Sequence, residues 1–315
     1  MSRLHFVIPL LCITLTAFGQ DFRTPWIACP NLDGGQQAWF REVVELEEEP
    51  ARVWLSVTTT GYVDVYVNER NISTSTRMPY READDVDNAL ALCFDVTRFF
   101  GKGRNVIGIH YSPISSSPKQ PNAQTNRQVA AHLWGAYTDG SPFALTTDDD
   151  WLCRPANGSM DKNGEEHIDN RGFPRRWKAG DTEQSLWRPV VASPTSFDVN
   201  DYEEAEGLSP AEHITRTLEP AYIQNTPDKT YAIFKEAFNG WVRVTLRKCK
   251  PGQHILIDNM EYTCSGEFDE QACARFTVSP HRIVVIKGDK DFQPEQIFSI
   301  EGLDITPTFS DYYWP

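Results

Sequence analysis

The chain has 315 residues, room for about two domains, and 40% of them are hydrophobic, enough to fill sizeable cores. Formal net charge is -14, from 44 Asp and Glu against 30 Lys and Arg. That balance excludes the basic surface that nucleic acid or anionic lipid requires of a partner, and leaves neutral sugars compatible.

The N-terminus reads as a secretory leader. Arg3 precedes the apolar run Phe6 to Leu15, and the small residues Ala17 and Gly19 sit before a cut at Gln20. The run is shorter than the ~20 residues of a spanning helix, and no later stretch predicts a membrane span. A secreted or periplasmic protein is expected, with residues 1–19 removed. Cys12 leaves with the leader, and Cys29, Cys93, Cys153, Cys249, Cys264 and Cys273 remain. An even count in an exported chain permits disulfides, with about 15 pairings open. Cys264 with Cys273 is one short clip; free buried cysteines are the alternative. No C-x-x-C spacing points to structural zinc.

The mature sequence predicts strands almost throughout. Val53, Leu55 and Val57 alternate with Trp54, Ser56 and Thr58. Val63, Val65 and Val67 alternate with Tyr62, Asp64 and Tyr66. Period two in β-branched and aromatic residues is the signal of a half-buried strand. Asp95 to Gly101 predicts a short helical turn, and Asn105 to Tyr111 another strand. Ser115 to Asn126 and Asn157 to Asp181 are polar and aperiodic, and predict exposed loops. Residues 201–230 predict a connector, in which Ser209 to Glu212 resembles a capping box but reads as a brief turn leading into a strand over the alternating stretch Ile214 to Leu218. A second domain is expected over 231–315, with strands at Trp241 to Leu246, His254 to Ile257 and Arg282 to Ile286. The expected fold class is all-β, with two antiparallel β-sandwich domains of jelly-roll or concanavalin-like type.

Several segments in order resemble the N-terminal modules of bacterial α-L-rhamnosidases. In the first module these are Gln37-Ala38-Trp39-Phe40-Arg41, Gly61 to Asn68, Phe94-Asp95-Val96-Thr97, Gly164 to Arg171 and Trp187-Arg188-Pro189-Val190. In the second they are Phe234 to Arg243 and Phe292 to Ile305. The resemblance implies a rhamnosidase-like sandwich over 20–200 and a concanavalin-like one over 231–315. This sequence departs from the pattern at Asn68-Glu69, where the family has Asn-Gly, so a different hairpin turn is expected there. In the family, inverting hydrolysis by two carboxyls about 6.5–9.5 Å apart belongs to a helical barrel, and no helix-rich region is predicted here to carry it.

Other constellations are weak. Glu267-Phe268-Asp269-Glu270-Gln271 approaches the one-face carboxylate triplet of sandwich glucanases, but Gln271 stands where the third carboxylate would be and Glu270 points to the other face. It reads as a solvated hairpin turn. Asp148-Asp149-Asp150 also reads as a turn, with calcium ligation the alternative. His110 reads as a satisfied core histidine. No catalytic residue, metal ligand or cofactor is assigned. The chain has 9 Trp and 11 Tyr. Trp26, Trp39, Trp187 and Trp241 are placed in cores. Trp134, Tyr137, Trp151 and Trp177 flank loops and are the candidate exposed sugar platforms. Glu165, Asp169 and Arg171 form either an ion-paired clamp at the domain junction or a sugar contact. Three functions remain open: a non-catalytic module binding plant-type or rhamnose-containing polysaccharide, a split α-L-rhamnosidase needing a separate catalytic subunit, and a protein-binding scaffold.

Overall fold

The computed structural model describes residues 24–81, 89–114, 127–180, 184–193 and 211–308. The expected leader over 1–19, the 115–126 loop and Ser209-Pro210 lie outside the described residues. The period-two stretches form strands with the expected inner faces. Val53, Leu55, Val57, Val63, Val65 and Val67 are fully buried.

The first module packs two antiparallel sheets face to face. In one, Val129–Tyr137 lies between Pro50–Thr59 and the short Ile27–Ala28, and Leu90–Asp95 flanks Pro50–Thr59. In the other, Gln36–Leu46 lies between Leu152–Met160 and Gly103–Ser112, with Tyr62–Val67 beyond. Phe40, Leu55, Val65, Ile109 and Leu133 meet in one core between the sheets. Each such side chain contributes roughly 1.5–3 kcal/mol by leaving water, and this burial holds the two sheets together.

The second module is built around Lys229–Arg247, a strand of 19 residues. Its first half lies between Tyr222–Asn225 and Ser279–Gly288; its second half lies between Ile297–Thr308 and Asp269–Ala272. A register shift between Ile233 and Phe238 separates the halves. Phe234, Val244, Ile255, Tyr262, Ile286 and Ile300 fill a separate core.

Two regions add to or differ from the sequence reading. Within the expected 201–230 connector, the strand expected over Ile214 to Leu218 is present as Ala211–Leu218, paired with Ile297–Thr308, and the unexpected strand Tyr222–Asn225 pairs with Lys229–Arg247, so both belong to the second module. Within the expected 157–181 loop, Leu152–Met160 runs through Asn157, and Glu166–Asp169 forms a further strand. Glu166–Asp169 is antiparallel to Leu152–Met160 on one side and parallel to Met260–Thr263 on the other. One sheet therefore crosses from module to module through a ladder too short for any periodicity to announce.

The turn after Tyr62–Val67 also corrects an expectation. Asn68 and Glu69 have φ of 48° and 69°, and Val67 faces Arg70, so this is still a two-residue hairpin with both central residues left-handed. Asn68 holds it by donating Nδ2 to the Phe99 carbonyl at 2.7 Å and to Asn105 Oδ1 at 2.9 Å, and by accepting Val106 N–H at 2.8 Å. Glu69 bears the steric cost that glycine would avoid. Glu69→Gly is expected to raise stability by about 1 kcal/mol in urea titration.

Candidate functional site

Alternation along Gln36–Leu46 sends Ala38 and Phe40 into the sandwich core and Gln37, Trp39 and Arg41 to the opposite face. That outer face is covered rather than solvated. Trp39, Tyr66, Ala156, Trp177 and Trp187 form a second buried cluster there. Trp177 stacks on Trp39 with centroids 5.3 Å apart and rings 15° from parallel, and Phe173 meets Trp39 edge-on at 5.4 Å. Gly108 makes this possible, since a Cβ at that position would lie 2.9 Å from the Trp177 ring. Lys178 places its ammonium 4.0 Å from the Tyr66 ring centroid, a cation–π contact.

Beside this cluster, the two modules are locked by one buried carboxylate. Glu166 is 1% exposed. Its Oε1 accepts Gln37 Nε2 at 3.0 Å, and its Oε2 accepts the backbone N–H groups of Arg275, Phe276 and Thr277 at 2.7, 2.9 and 3.1 Å. Gln37 Oε1 in turn meets His110 Nε2 at 3.0 Å. Burial, with Arg275 and Lys178 nearby, holds His110 well below the usual imidazole range, so it is neutral. Arg275 Nη1 donates to Asp64 Oδ2 and Tyr66 Oη, both at 2.7 Å. On a second line of contact, Thr76 N–H donates to the Glu212 carbonyl at 2.8 Å, and Arg77 Nε to the Glu212 carboxylate at 2.7 Å.

A cleft of about 450 Å³ opens at this junction, lined in part by Trp39, Arg154, Asn157, Asp169, Arg171 and Phe173. A smaller cavity of about 220 Å³ shares Trp39, Asn157 and Phe173 with it and reaches Trp177 and His110. The Arg154 guanidinium lies 5.5 Å from the Trp39 ring centroid. Arg154 Nε and Nη1 and Trp39 Nε1 are buried and have no protein hydrogen-bond partner. Buried donors of this kind cost about 1–3 kcal/mol each when unmet, and all three atoms lie behind the cleft surface, out of reach of solvent. Arg171 donates Nε to Asp169 Oδ1 at 2.9 Å and Nη2 to Oδ2 at 2.7 Å. That bidentate bond, then the Arg171 charge, holds Asp169 below the usual carboxylate range. Asp169 is therefore an acceptor at neutral pH and holds no proton to give. His167 faces Glu261 across the parallel ladder at 2.9 Å.

The sequence-predicted residues divide. Asp169 and Arg171 lie in the cleft as an ion pair. Glu165 does not join them: it accepts Asn259 Nδ2 at 3.0 Å beside a separate cleft, lined also by Trp241 and His281. The neighbouring Glu166, which faces inward, forms the junction clamp instead. The exposed platforms expected at Trp151 and Trp177 are corrected, since both are 3% exposed. Trp151, just before the strand Leu152–Met160, joins Cys153 in the sandwich core. Trp177 is covered because its segment folds back over the outer sheet face. Trp134 is half-buried, stacks on His132 at 4.9 Å, and lies opposite Trp54 on the first sheet's outer face, away from the cleft. Tyr137 packs on Phe143 at 4.8 Å. Trp39 is buried as expected, while Trp241 is half-buried with an unpartnered Nε1. Arg154, Asn157 and Phe173 went unnoticed in the sequence. The alternation of Leu152–Met160 was the signal for Arg154 and Asn157, blurred by Pro155 and Gly158, and Phe173 had none.

The acidic motifs resolve into structural roles. Glu270 is 3% exposed, not solvated. It accepts the Ser265 and Gly266 N–H groups at 2.8 Å each and the Tyr262 hydroxyl at 3.0 Å. Asp148 to Asp150 form a turn in which Asp150 N–H donates to Asp148 Oδ1 at 3.0 Å. Among the described residues no group of three His, Cys, Asp or Glu is placed to hold a metal ion. Burial, then the charges of Asp148 and Asp150, raises Glu42 from near 4.5 to about 7. A carboxyl raised in the native state stabilises the fold below its unfolded pKa, and that contribution is lost as pH climbs towards 7. Relative to wild type, Glu42→Gln is expected to gain about 1–3 kcal/mol at pH 8 and little at pH 4, read from urea midpoints across pH.

The comparisons with known proteins agree with this architecture. The chain is 22% identical over 218 residues to an alpha-L-rhamnosidase of Formosa agariphila, covering 62% of this chain and 22% of that protein. It is 22% identical over 188 residues to an alpha-L-rhamnosidase of Alteromonas sp. strain LOR, covering 54% and 20%. The chain thus spans about a fifth of the length of these curated relatives. In fold it is similar to the alpha-L-rhamnosidase from Dictyoglumus thermophilum, with a TM-score of 0.77 at 18% identity over 90% of this chain and 36% of that one. It is also similar to the Streptomyces avermitilis alpha-L-rhamnosidase solved with L-rhamnose, with a TM-score of 0.74 at 18% identity over 87% and 29%. The family model for the alpha-L-rhamnosidase N-terminal domain matches residues 48–209, more than half of the chain and most of the first sandwich with its junction strand, and the chain belongs to that family.

Proposed function

We propose that this chain is an exported, non-catalytic carbohydrate-binding module that takes a rhamnose-containing polysaccharide in the junction cleft. The observation that carries the reading is one cleft lined by the half-buried ring of Phe173, by Arg154 and by the fixed acceptor Asp169. Sugar rings stack their apolar faces on aromatics while charged or amide groups fix their hydroxyls. The relation to α-L-rhamnosidases supports rhamnose as the sugar. The test is saturation-transfer NMR on the chain with rhamnose-containing oligosaccharides. Transfer without release of free rhamnose is expected. Arg154→Ala should weaken binding about tenfold, which corresponds to roughly 1.4 kcal/mol, and Trp134→Ala should leave it unchanged. Free rhamnose appearing over time overturns the non-catalytic reading. Loss of binding on Trp134→Ala alone moves the site to the outer face of the first sheet. Export predicts that protein recovered from the culture medium or periplasm begins at Gln20.

A second reading is an accessory subunit of a split α-L-rhamnosidase, and one observation favours it. Tyr222, Ile233 and Ile283 lie in one cross-strand row of the second module, with Tyr222 59% and Ile283 56% exposed. An exposed apolar row of this kind is a docking feature. Co-elution with a catalytic α-L-rhamnosidase barrel supplied separately, abolished by Ile283→Asp, would support it. Independent elution would leave the binding module.

A further inference from the structure

Four of the six described cysteines fall into two close pairs that the sequence does not show. Cys29 follows the short strand of the first sheet and Cys153 lies in a strand of the second; both are buried in the first core, at 6% and 0% exposure. Arg188, opposite Cys153 in register, reaches Cys29 Sγ with Nη2 at 3.6 Å and the Pro30 carbonyl at 2.5 Å. The Cys29 and Cys153 sulfurs share one buried core and lie close enough to act on each other. In the second module, Cys264 exchanges backbone hydrogen bonds with Gly252 and Gln253 at 2.9 Å each. The turn from Lys250 to Gln253 brings Cys249 beside it, close enough for the two sulfurs to act on each other, and both are buried in the second core. Cys264 therefore faces Cys249, not the Cys273 that sequence proximity suggests. All four carry thiols in this structure.

We propose that Cys29–Cys153 and Cys249–Cys264 are the two native disulfides of this protein. The first ties the two sheets of the first sandwich across their core. The second clips the turn at Lys250 to the strand Met260–Thr263 that continues the sheet into the first module. All four sulfurs are buried in the folded state, so closure belongs to folding itself, before the cores exclude the oxidant. One cysteine of a pair, as thiolate, attacks one sulfur of a disulfide oxidant such as oxidised glutathione, forming a mixed disulfide and releasing one thiolate of the oxidant. Its partner then loses its proton and attacks the protein sulfur of that mixed disulfide, the intramolecular S–S bond forms, and the second thiolate leaves. Two protein thiols are oxidised and one oxidant disulfide is reduced to two thiols.

The test is refolding of the full chain from denaturant in a reduced and oxidised glutathione buffer. Alkylation and peptide mapping without reductant follow. The expected products are one cross-linked peptide joining Cys29 to Cys153 and one joining Cys249 to Cys264, with Tm falling by several degrees on reduction. The double variants Cys29→Ser/Cys153→Ser and Cys249→Ser/Cys264→Ser should each lose one cross-linked peptide and keep the other. Full alkylation of all four cysteines in the refolded protein overturns the proposal. So does a cross-link from any of them to Cys93 or Cys273.

Discussion

Glu166→Ala is expected to destabilise the protein by about 3–5 kcal/mol and to split a single urea transition into two. The side chain is 1% exposed and accepts four hydrogen bonds, three of them from consecutive backbone N–H groups of the other module. Its removal leaves those three donors and the Gln37 amide without a partner in a site closed to water, at about 1–3 kcal/mol for each group that stays unmet. Some donors will recover water, which is why the expected cost is below the full sum. The split follows from the position of the residue. Each module has its own apolar core, and Glu166 sits on the strand that joins them. Glu165→Ala is the control. Its carboxylate meets one exposed amide, so a change within about 0.5 kcal/mol is expected. A single cooperative transition of unchanged midpoint for Glu166→Ala would show that the ladder and the Arg77 to Glu212 contact hold the junction without it.

Trp177→Ala is expected to cost about 3–5 kcal/mol, as for other large aromatic side chains truncated in a packed cluster. The ring stacks on Trp39, meets Tyr66 edge-on at 5.4 Å and fills the space over Gly108. Its loss opens a cavity on the outer sheet face, and binding in the junction cleft should fall with it because Trp39 is no longer held. Trp134→Ala should cost less than about 1 kcal/mol, since that ring is half-buried and rests on His132 at the surface. Urea midpoints of the two variants compared side by side decide whether Trp177 is a packing residue, as its burial requires, or a solvent-facing platform.

The strands of the first module were legible because both faces of each were informative. Val53, Leu55 and Val57, or Val63, Val65 and Val67, alternate with polar or aromatic neighbours, and that pattern has one stable solution when a second sheet is available to cover it. The ordered segments from Trp39 to Ile305 were enough to carry the family resemblance. Asp169 and Arg171 were legible as a pair because a single residue separates them in sequence, and the ion pair they form is local.

The junction segment was legible as a motif, Gly164 to Arg171, but not as a strand or by its clamping residue, and the reason is physical. Glu166–Asp169 has four residues, its neighbours are supplied from either side by distant strands, and neither hydrophobicity nor turn chemistry marks it. Glu165 and Glu166 are adjacent carboxylates with the same local context, yet the pleat sends one to solvent and the other to three backbone N–H groups 109 to 111 residues away. Trp151 and Trp177 looked like loop aromatics for a similar reason: flanking polarity describes the chain near them, while burial depends on which face the strand turns inward and on a segment that folds back. The sequence by itself determined the β architecture, the inner faces and the family, because period, composition and motif order are local properties. Only the tertiary structure decided which carboxylate clamps the modules, which aromatics stay exposed and which cysteines meet, because each depends on contacts between residues far apart in the chain.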